Sequence, residues 1–356
     1  TDQRGEYTLI FQSPLECCII TSPIGAMHYF YTIEQGVFHH GERIVDILKE
    51  AKLAWAWNWK ALGDLCQLEN LTSNNTLHPA IHRVPPGSIL RYRNGHLDLR
   101  SKSYLDSIPA QPSDPSEAVA CLNEEVAAWT DHNPYLSLSG GFDSRVILSS
   151  LLAQGVRPHL ITMGSDESSD VQVARSIAER FSLDHDLIKI KLEDLVTHGP
   201  KISALTNGSK TAWHWHTYLY PLKASIPSAS TFFVGTLGEF ARSYYFDKGV
   251  LGRVANAISP FSLKRFWKLK LSRHPTFHVP ELASLNSNFA DQLSSEGIES
   301  RSRRLTSLCH DEFLSGLTRY YFEQRVPNFY ANGIKMYLAS SQWRSPFHSR
   351  KWINSI

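Results

Sequence analysis

The stretch that most restricts the fold runs from Tyr135 to Gln154. A short apolar strand, Tyr135-Leu136-Ser137-Leu138, leads into Ser139-Gly140-Gly141-Phe142-Asp143-Ser144. From Ser144 to Gln154, Val146, Ile147, Leu151 and Leu152 recur at helical spacing. Two glycines let a backbone turn tightly and come close to a ligand. Ser139 and Ser144 add hydroxyl donors, and a helix starting here presents N–H groups and the positive end of its dipole. Strand, glycine turn and helix in that order make an anion site at the carboxyl end of a parallel strand. Asp143 sharpens the chemistry. A carboxylate among phosphates is repulsive unless a cation lies between them, so the loop implies Mg²⁺, which takes oxygens of both kinds. The Gly-x-x-x-x-Gly-Lys spacing and the dinucleotide fingerprint are both absent. The alternative is a plain strand-to-helix turn in which Asp143 caps the helix.

The surroundings supply the parallel sheet. Ser116 to Asp131 reads as a helix that Ser116 can cap, and His159 to Met163 as an apolar strand. Asp170 to Phe181 reads as a helix with Val171, Ala174, Ile177 and Ala178 on one face and Asp170 as its cap. Asp186 to Ile190 and Thr231 to Gly235 read as further strands. Strands alternating with helices imply parallel pairing with helical crossovers. From Pro260 onward the pattern is mostly helical and basic.

The first hundred residues differ. Tyr7 to Phe11, Cys17 to Thr21 and His28 to Thr32 alternate like strands, and Glu42 to Lys52 and Trp55 to Leu68 read as helices. Ile89 to Arg93 and Leu97 to Arg100, joined by Asn94-Gly95, form a hairpin. Pro109, Pro112 and Pro115 then suit a stiff linker. The domains expected are therefore 1–106, a linker at 107–116, and 117–356.

Composition excludes several classes. The 356 residues are 42% hydrophobic and 20% charged, with a net charge of +2. That balance suits a soluble globular protein and gives no reason to expect nucleic acid. No apolar run is long enough for a membrane-spanning helix, and no signal peptide is evident. Cys17, Cys18, Cys66, Cys121 and Cys309 never fall at Cys-x-x-Cys spacing. They are read as buried free thiols in a cytoplasmic protein. Trp213-His214-Trp215-His216 invites a metal reading, but residues two apart face different sides of a helix, so packing is expected there.

Ser139 to Ser144 resembles the signature of the pyrophosphate-loop ATP enzymes, and the wider pattern is similar to the glutamine-dependent asparagine synthetase family. Arg83-Val84-Pro85-Pro86-Gly87-Ser88 resembles the segment that closes that family's glutaminase domain. Thr162-Met163-Gly164, Asp170, Ala174 and His185 follow the order found after its loop. Gly235 to Tyr245 resembles its second phosphate motif, and Arg344-Ser345-Pro346-Phe347 its Arg-Val-Pro-Phe segment. The fold so implied is α/β: a parallel-sheet pyrophosphate-loop domain, adenine nucleotide α-hydrolase-like, preceded by a partial glutaminase-like β-rich domain of the N-terminal-nucleophile type.

The resemblance assigns roles. Ser139, Gly140, Gly141, Asp143 and Ser144 would hold the pyrophosphate part of ATP through Mg²⁺. Leu138 and Met163 match positions near the adenine and ribose, and Val234 and Gly235 the strand end that approaches the nucleotide. Asp143 and Glu239 would be the catalytic, metal-holding carboxylates. Glu239 replaces an aspartate, which keeps the charge; otherwise it is a solvated glutamate at a helix start. Thr236 stands where an acidic residue assists the amine, so that general base is lost. Arg242 is read either as a phosphate or carboxylate contact or as a surface arginine. His185 is expected to order its strand rather than do chemistry.

Two parts of the family have no match. Cys17 and Cys18 are internal and cannot serve as an N-terminal nucleophile. Arg350 and Lys351 are the only arginine and lysine beyond Phe347, after which the family places a lysine, so either the chain is a fragment truncated at its C-terminus or its chemistry is altered. The function expected is ATP-dependent activation of a carboxylate, aspartate by default, with release of pyrophosphate and amide formation. The partners expected are a small carboxylate and ammonia or an amine, with room for a homodimer, and neither nucleic acid nor a membrane. The alternatives are a ring-closing amide synthetase of the β-lactam or peptide-cyclase type, sulfur insertion into RNA, and a non-catalytic nucleotide-binding module.

Overall fold

Along Glu16–Thr21 and through the first half of Ser88–Arg93 burial alternates with a period of two, as in strands with one face on a core. The computed structural model describes residues 6–68, 70–101, 103, 105, 114–130, 133–189, 191–210, 225–242, 318–338 and 342–356. These divide into two units. One holds the described residues within 1–106, 206–211 and 243–332, the other those within 107–205, 212–242 and 333–356.

The first unit contains β1 (Thr8–Gln12), β2 (Glu16–Thr21), β3 (Phe30–Glu34), β4 (Val37–Gly41), α1 (Ile44–Glu50), α2 (Trp59–Leu68), β5 (His82–Arg83), β6 (Ser88–Arg93) and β7 (His96–Ser101). They form a four-stranded sheet, β1-β2-β6-β7, and a three-stranded sheet, β4-β3-β5, both antiparallel. Cys17, Ile19, Tyr29, Val84 and Leu90 make one core cluster, and Phe30, Ile44, Ile47 and Ile81 another. The expected hairpin forms. Asn94 and Gly95 both take positive φ, 51° and 79°, which matches the twist of the strands they join. A second turn of that kind at Gln35-Gly36 creates β4, which the sequence reading did not include. The helix expected from Trp55 starts only at Trp59, because the Asn58 side chain accepts from the Ala61 N–H at 3.2 Å. Arg83 is buried, and its guanidinium donates to the carbonyls of Pro327 at 2.9 Å and Ser73 at 2.7 Å. Burial pulls its pKa down to about 10.

The second unit contains α3 (Pro115–Ala127), β8 (Tyr135–Ser137), α4 (Phe142–Ala153), β9 (His159–Gly164), α5 (Ser169–Phe181), β10 (His185–Lys189), α6 (Leu192–Leu205), β11 (Thr231–Phe233) and β12 (Gln342–Arg344). Its sheet is parallel, in the order β10-β9-β8-β11-β12. Chain order thus runs outward from β8 through β9 to β10, then resumes on the other side of β8 with β11. The reversal creates a crevice beyond the carboxyl ends of β8 and β11, the place where such sheets bind ligands. Leu136, Leu160, Phe232 and Phe233 are fully buried on adjacent strands and hold that crevice on a rigid base.

Several details differ from the sequence reading. Asp114, not Ser116, caps α3, its carboxylate accepting from the Ser116 N–H at 2.9 Å. Ser168, not Asp170, caps α5, its hydroxyl accepting from the Val171 N–H at 3.3 Å. In α4 the buried face runs through Ser144, Ile147, Leu148 and Leu151, leaving Val146 exposed. β12 joins the sheet although no strand was read there. Cys17 is buried, but Cys18, Cys66 and Cys121 are only half-buried, and all four are free thiols. The 213–216 aromatic–histidine run, Cys309 and most of the chain beyond Pro260 lie outside the described residues; Tyr321–Tyr330 and Ala331–Leu338 within that stretch are helical. Among the described residues no helix is long and apolar enough to cross a membrane.

Leu136 lies on the central strand with no exposed surface. Leu136→Ala should cost the second unit about 2–5 kcal/mol through a cavity that the close-packed sheet cannot refill. Chemical denaturation followed by circular dichroism measures that loss.

Candidate functional site

The site grows from the end of β8. Leu138 is buried, with its N–H donating to Ile161 at 2.9 Å and its carbonyl accepting from the Thr162 hydroxyl at 2.8 Å. The loop that follows is tied by side chains. The Ser139 N–H donates to the Ser144 hydroxyl at 3.2 Å, and the Gly141 N–H to the Ser139 hydroxyl at 3.1 Å. The two hydroxyls are 3.2 Å apart. The Gly140 N–H donates to Oδ1 of Asp170, in the first turn of α5, at 2.9 Å.

The loop then enters α4 at Phe142, with Gly141 as its N-cap. Glycine has no side chain with which to cap that helix start. The helices α3 and α5 in the same unit have side-chain caps; α4 has none. The first-turn N–H groups and the helix dipole are therefore directed into the crevice without a protein oxygen from the cap position, a disposition suited to an anion.

The second motif closes on the first. After β11, the buried Val234 donates its N–H to the Arg344 carbonyl at 3.0 Å, and Gly235 begins a turn closed by the Gly238 N–H at 3.2 Å. The Gly238 backbone rests against Asp143. A Cβ on residue 238 would lie 2.5 Å from the Asp143 Cγ and 2.7 Å from its Oδ1. Any other residue at 238 would force that carboxylate to move. Glu239 is the next residue, half-buried in the short turn Gly238–Arg242. Asp143 and the segment carrying Glu239 are thus brought together from opposite sides of the switch point. Met163 is half-buried near the carboxyl end of β9, at the same end of the sheet. Thr236 lends its carbonyl to the Ser345 hydroxyl, tying the turn to the segment after β12. The side chains of Phe240 and Arg242 lie outside the described residues.

Two residues have supporting roles. The His185 Nε2 is 2.9 Å from the Thr162 hydroxyl, which in turn holds Leu138, so the imidazole braces the strand end beneath the loop. Arg344 is anchored over the Trp129 ring at 3.7 Å and to the Trp343 carbonyl at 2.7 Å, and burial lowers its pKa. In the first unit, Cys17 Sγ lies 3.6 Å from the His40 Nε2, whose other ring nitrogen is 3.0 Å from the Tyr29 hydroxyl. Burial raises the thiol pKa and lowers that of the imidazole, so both are held neutral. This is the opposite of an activated cysteine.

The loop and Glu239, both expected at the site, lie at the same end of the sheet, whereas Asp170, expected to cap its own helix, bonds Gly140 instead. The available signal was Ser168, an equally good cap placed so as to release Asp170. Among the described residues, no group of three or more His, Cys, Asp or Glu side chains converges as a metal site.

Residues 127–226 match the family model of asparagine synthase. The matched segment contains the loop, α4, β9, α5 and β10. That family is one of ATP-dependent ligases, and the similarity supports an ATP-dependent enzyme of the ligase kind that forms amide bonds. No curated protein matches the chain.

Burial, and secondarily the charge of Arg175, hold the His185 pKa below its ordinary 6.5. The unfolded chain then binds a proton that the folded one resists. Stability should be complete above pH 6.5 and decline as pH falls through that value. His185→Gln should flatten this part of the stability–pH curve, as read by thermal melting between pH 7.5 and 5.

Proposed function

We propose that the chain activates a carboxylate with ATP and passes the acyl group to ammonia or an amine. The observation that carries this reading is the approach of Asp143, on an uncapped helix start, to the Gly238-Glu239 turn across the switch point of a parallel sheet. The asparagine synthase match over the same loop supports it.

A carboxylate oxygen of the substrate attacks the α-phosphorus. The bond to the bridging oxygen breaks, and pyrophosphate leaves with the electron pair. The negative charge that gathers on it is met by the first-turn amides and dipole of α4. Val234 and Gly235 border the crevice at the end of β11, Leu138 and Met163 at the ends of β8 and β9, where the adenosine part would lie. The amine then attacks the acyl carbon, AMP departs, and the amine loses a proton. Thr236 has no carboxylate to take that proton, so the base comes from elsewhere.

Mg²⁺ fits this donor set. It is commonly held by one or two carboxylates together with nucleotide phosphates rather than by a protein cage. Asp143 and Glu239 are the residues that would hold it, and it would supply charge neutralisation at the phosphates. A ring-closing variant, with the amine on the substrate itself, is the alternative, and Thr236, standing where the resembled family has an acid, makes such a change of acceptor credible.

ATP–pyrophosphate exchange over a panel of carboxylates tests the activation step. Asp143→Ala should lower exchange by at least about a hundredfold, the scale of removing a principal charge-stabilising group. Gly238→Ala should lower it too, by displacing Asp143 without touching its charge. ATP binding without exchange for any acid would falsify ligase chemistry and leave a nucleotide-binding module.

A further inference from the structure

We propose that Asp170 is a positioning residue of the nucleotide loop, which it holds, through the Gly140 amide, in the shape that receives the pyrophosphate part of ATP. The inference rests on the ATP reading of that loop.

Asp170 is exposed and sits in the first turn of α5, where an aspartate would ordinarily be explained by its own helix. That explanation is already taken. Ser168 occupies the cap position and its hydroxyl bonds the Val171 N–H. The Asp170 carboxylate instead reaches across to Gly140 and accepts its N–H at 2.9 Å, a charge-assisted bond between residues 30 apart in sequence. The backbone has been shaped for this contact. A Cβ on residue 140 would lie 2.8 Å from Oδ1 of Asp170 and 3.6 Å from its Cα, so a side chain there would break the bond or lift the loop from α5.

The bond completes a set. The amides of Ser139 and Gly141 are held by the hydroxyls of Ser144 and Ser139, both within the loop. The amide between them is held by Asp170, from outside it. With all three engaged, the turn cannot rotate its peptides freely, and Gly141 delivers the chain into α4 without a side-chain cap. Anion binding then falls to the α4 first turn, aimed by a loop already fixed. Asp170 does not touch the nucleotide in this scheme. Its charge is spent on an N–H and is solvated, which limits repulsion from the phosphates.

The test compares the wild type with Asp170→Ala, Asp170→Asn and Ser168→Ala. Amide hydrogen exchange of the peptide covering residues 139–144, without nucleotide, reads the anchor. Calorimetric titration with ATP and Mg²⁺ reads its consequence. Asp170→Ala should speed exchange in the loop and weaken ATP binding roughly tenfold, the scale of one hydrogen bond to a charged group. Asp170→Asn, whose amide oxygen still accepts, should recover most of both. Ser168→Ala should lower the melting temperature through the lost cap while ATP affinity stays at the wild-type value. Unchanged loop exchange in Asp170→Ala overturns the anchor. Faster exchange with unchanged affinity overturns the positioning role. Tighter ATP binding in Asp170→Ala overturns it in favour of a carboxylate that competes with phosphate. A wild-type chain that fails to bind ATP overturns the ATP reading and with it the ligand half of this inference, while loop exchange still judges the anchor by itself.

Discussion

Everything at this site depends on two places where a carboxylate lies directly against a glycine backbone. Asp143 is packed on Gly238, and Asp170 is bonded to Gly140. Each contact joins segments far apart in the chain, and a side chain on either glycine would push the carboxylate away. The first contact closes the β11 turn onto the loop. The second closes the loop onto α5. Together they hold one strand-to-helix turn from both sides. A glycine-rich loop would otherwise be the most mobile part of such a sheet, since glycine loses the most conformational freedom on ordering. Here its glycines are consumed by tight contacts, and the entropy cost of ordering the loop is met during folding rather than at ligand binding.

Topology supplies the rest. Starting a parallel sheet in its middle and resuming on the other side of the first strand leaves a crevice that no crossover covers. The strand residues beneath it are apolar and fully buried, so the polar loops stand on a base that cannot be deformed cheaply. The Leu138–Thr162–His185 chain extends that base in polar form. It fixes where β8 ends, and therefore where the loop begins. The crevice, the helix start without a side-chain cap and the Asp143–Gly238 contact agree on one location, and that agreement carries more weight than any one of them.

Much of this could be read from the sequence. Helix α5 follows from Val171, Ala174 and Ala178, which are buried on one face as their spacing requires. The hairpin at Asn94-Gly95 and the strand at Tyr135 were equally plain, because turn chemistry and apolar runs are local properties. What could not be read was non-local. Ser168 offers the helix a second cap and so frees Asp170, but what Asp170 then tethers is decided by where Gly140 comes to rest. β12 is three residues long, and Gln342-Trp343-Arg344 has no strand-like pattern of its own. It becomes a strand because β11 offers it an edge. The return of residues 206–211 and 318–332 to the first unit is likewise a matter of long-range packing, which periodicity does not encode.

The substitutions in the second motif bear on chemistry rather than on architecture. Glu239 follows the glycine on which Asp143 packs, so the place of the carboxylate proposed to face a metal is set by backbone geometry. Thr236 is different. Its carbonyl is engaged by Ser345, which keeps the turn in place whatever side chain residue 236 carries. The architecture therefore permits that side chain to vary without disturbing the nucleotide end of the site. On the proposed reading, a scaffold that binds and activates through one set of contacts, and manages the amine through another, can change its acceptor while keeping its ATP chemistry. The retained Asp143–Gly238 contact and the altered position 236 lie on the two sides of that division.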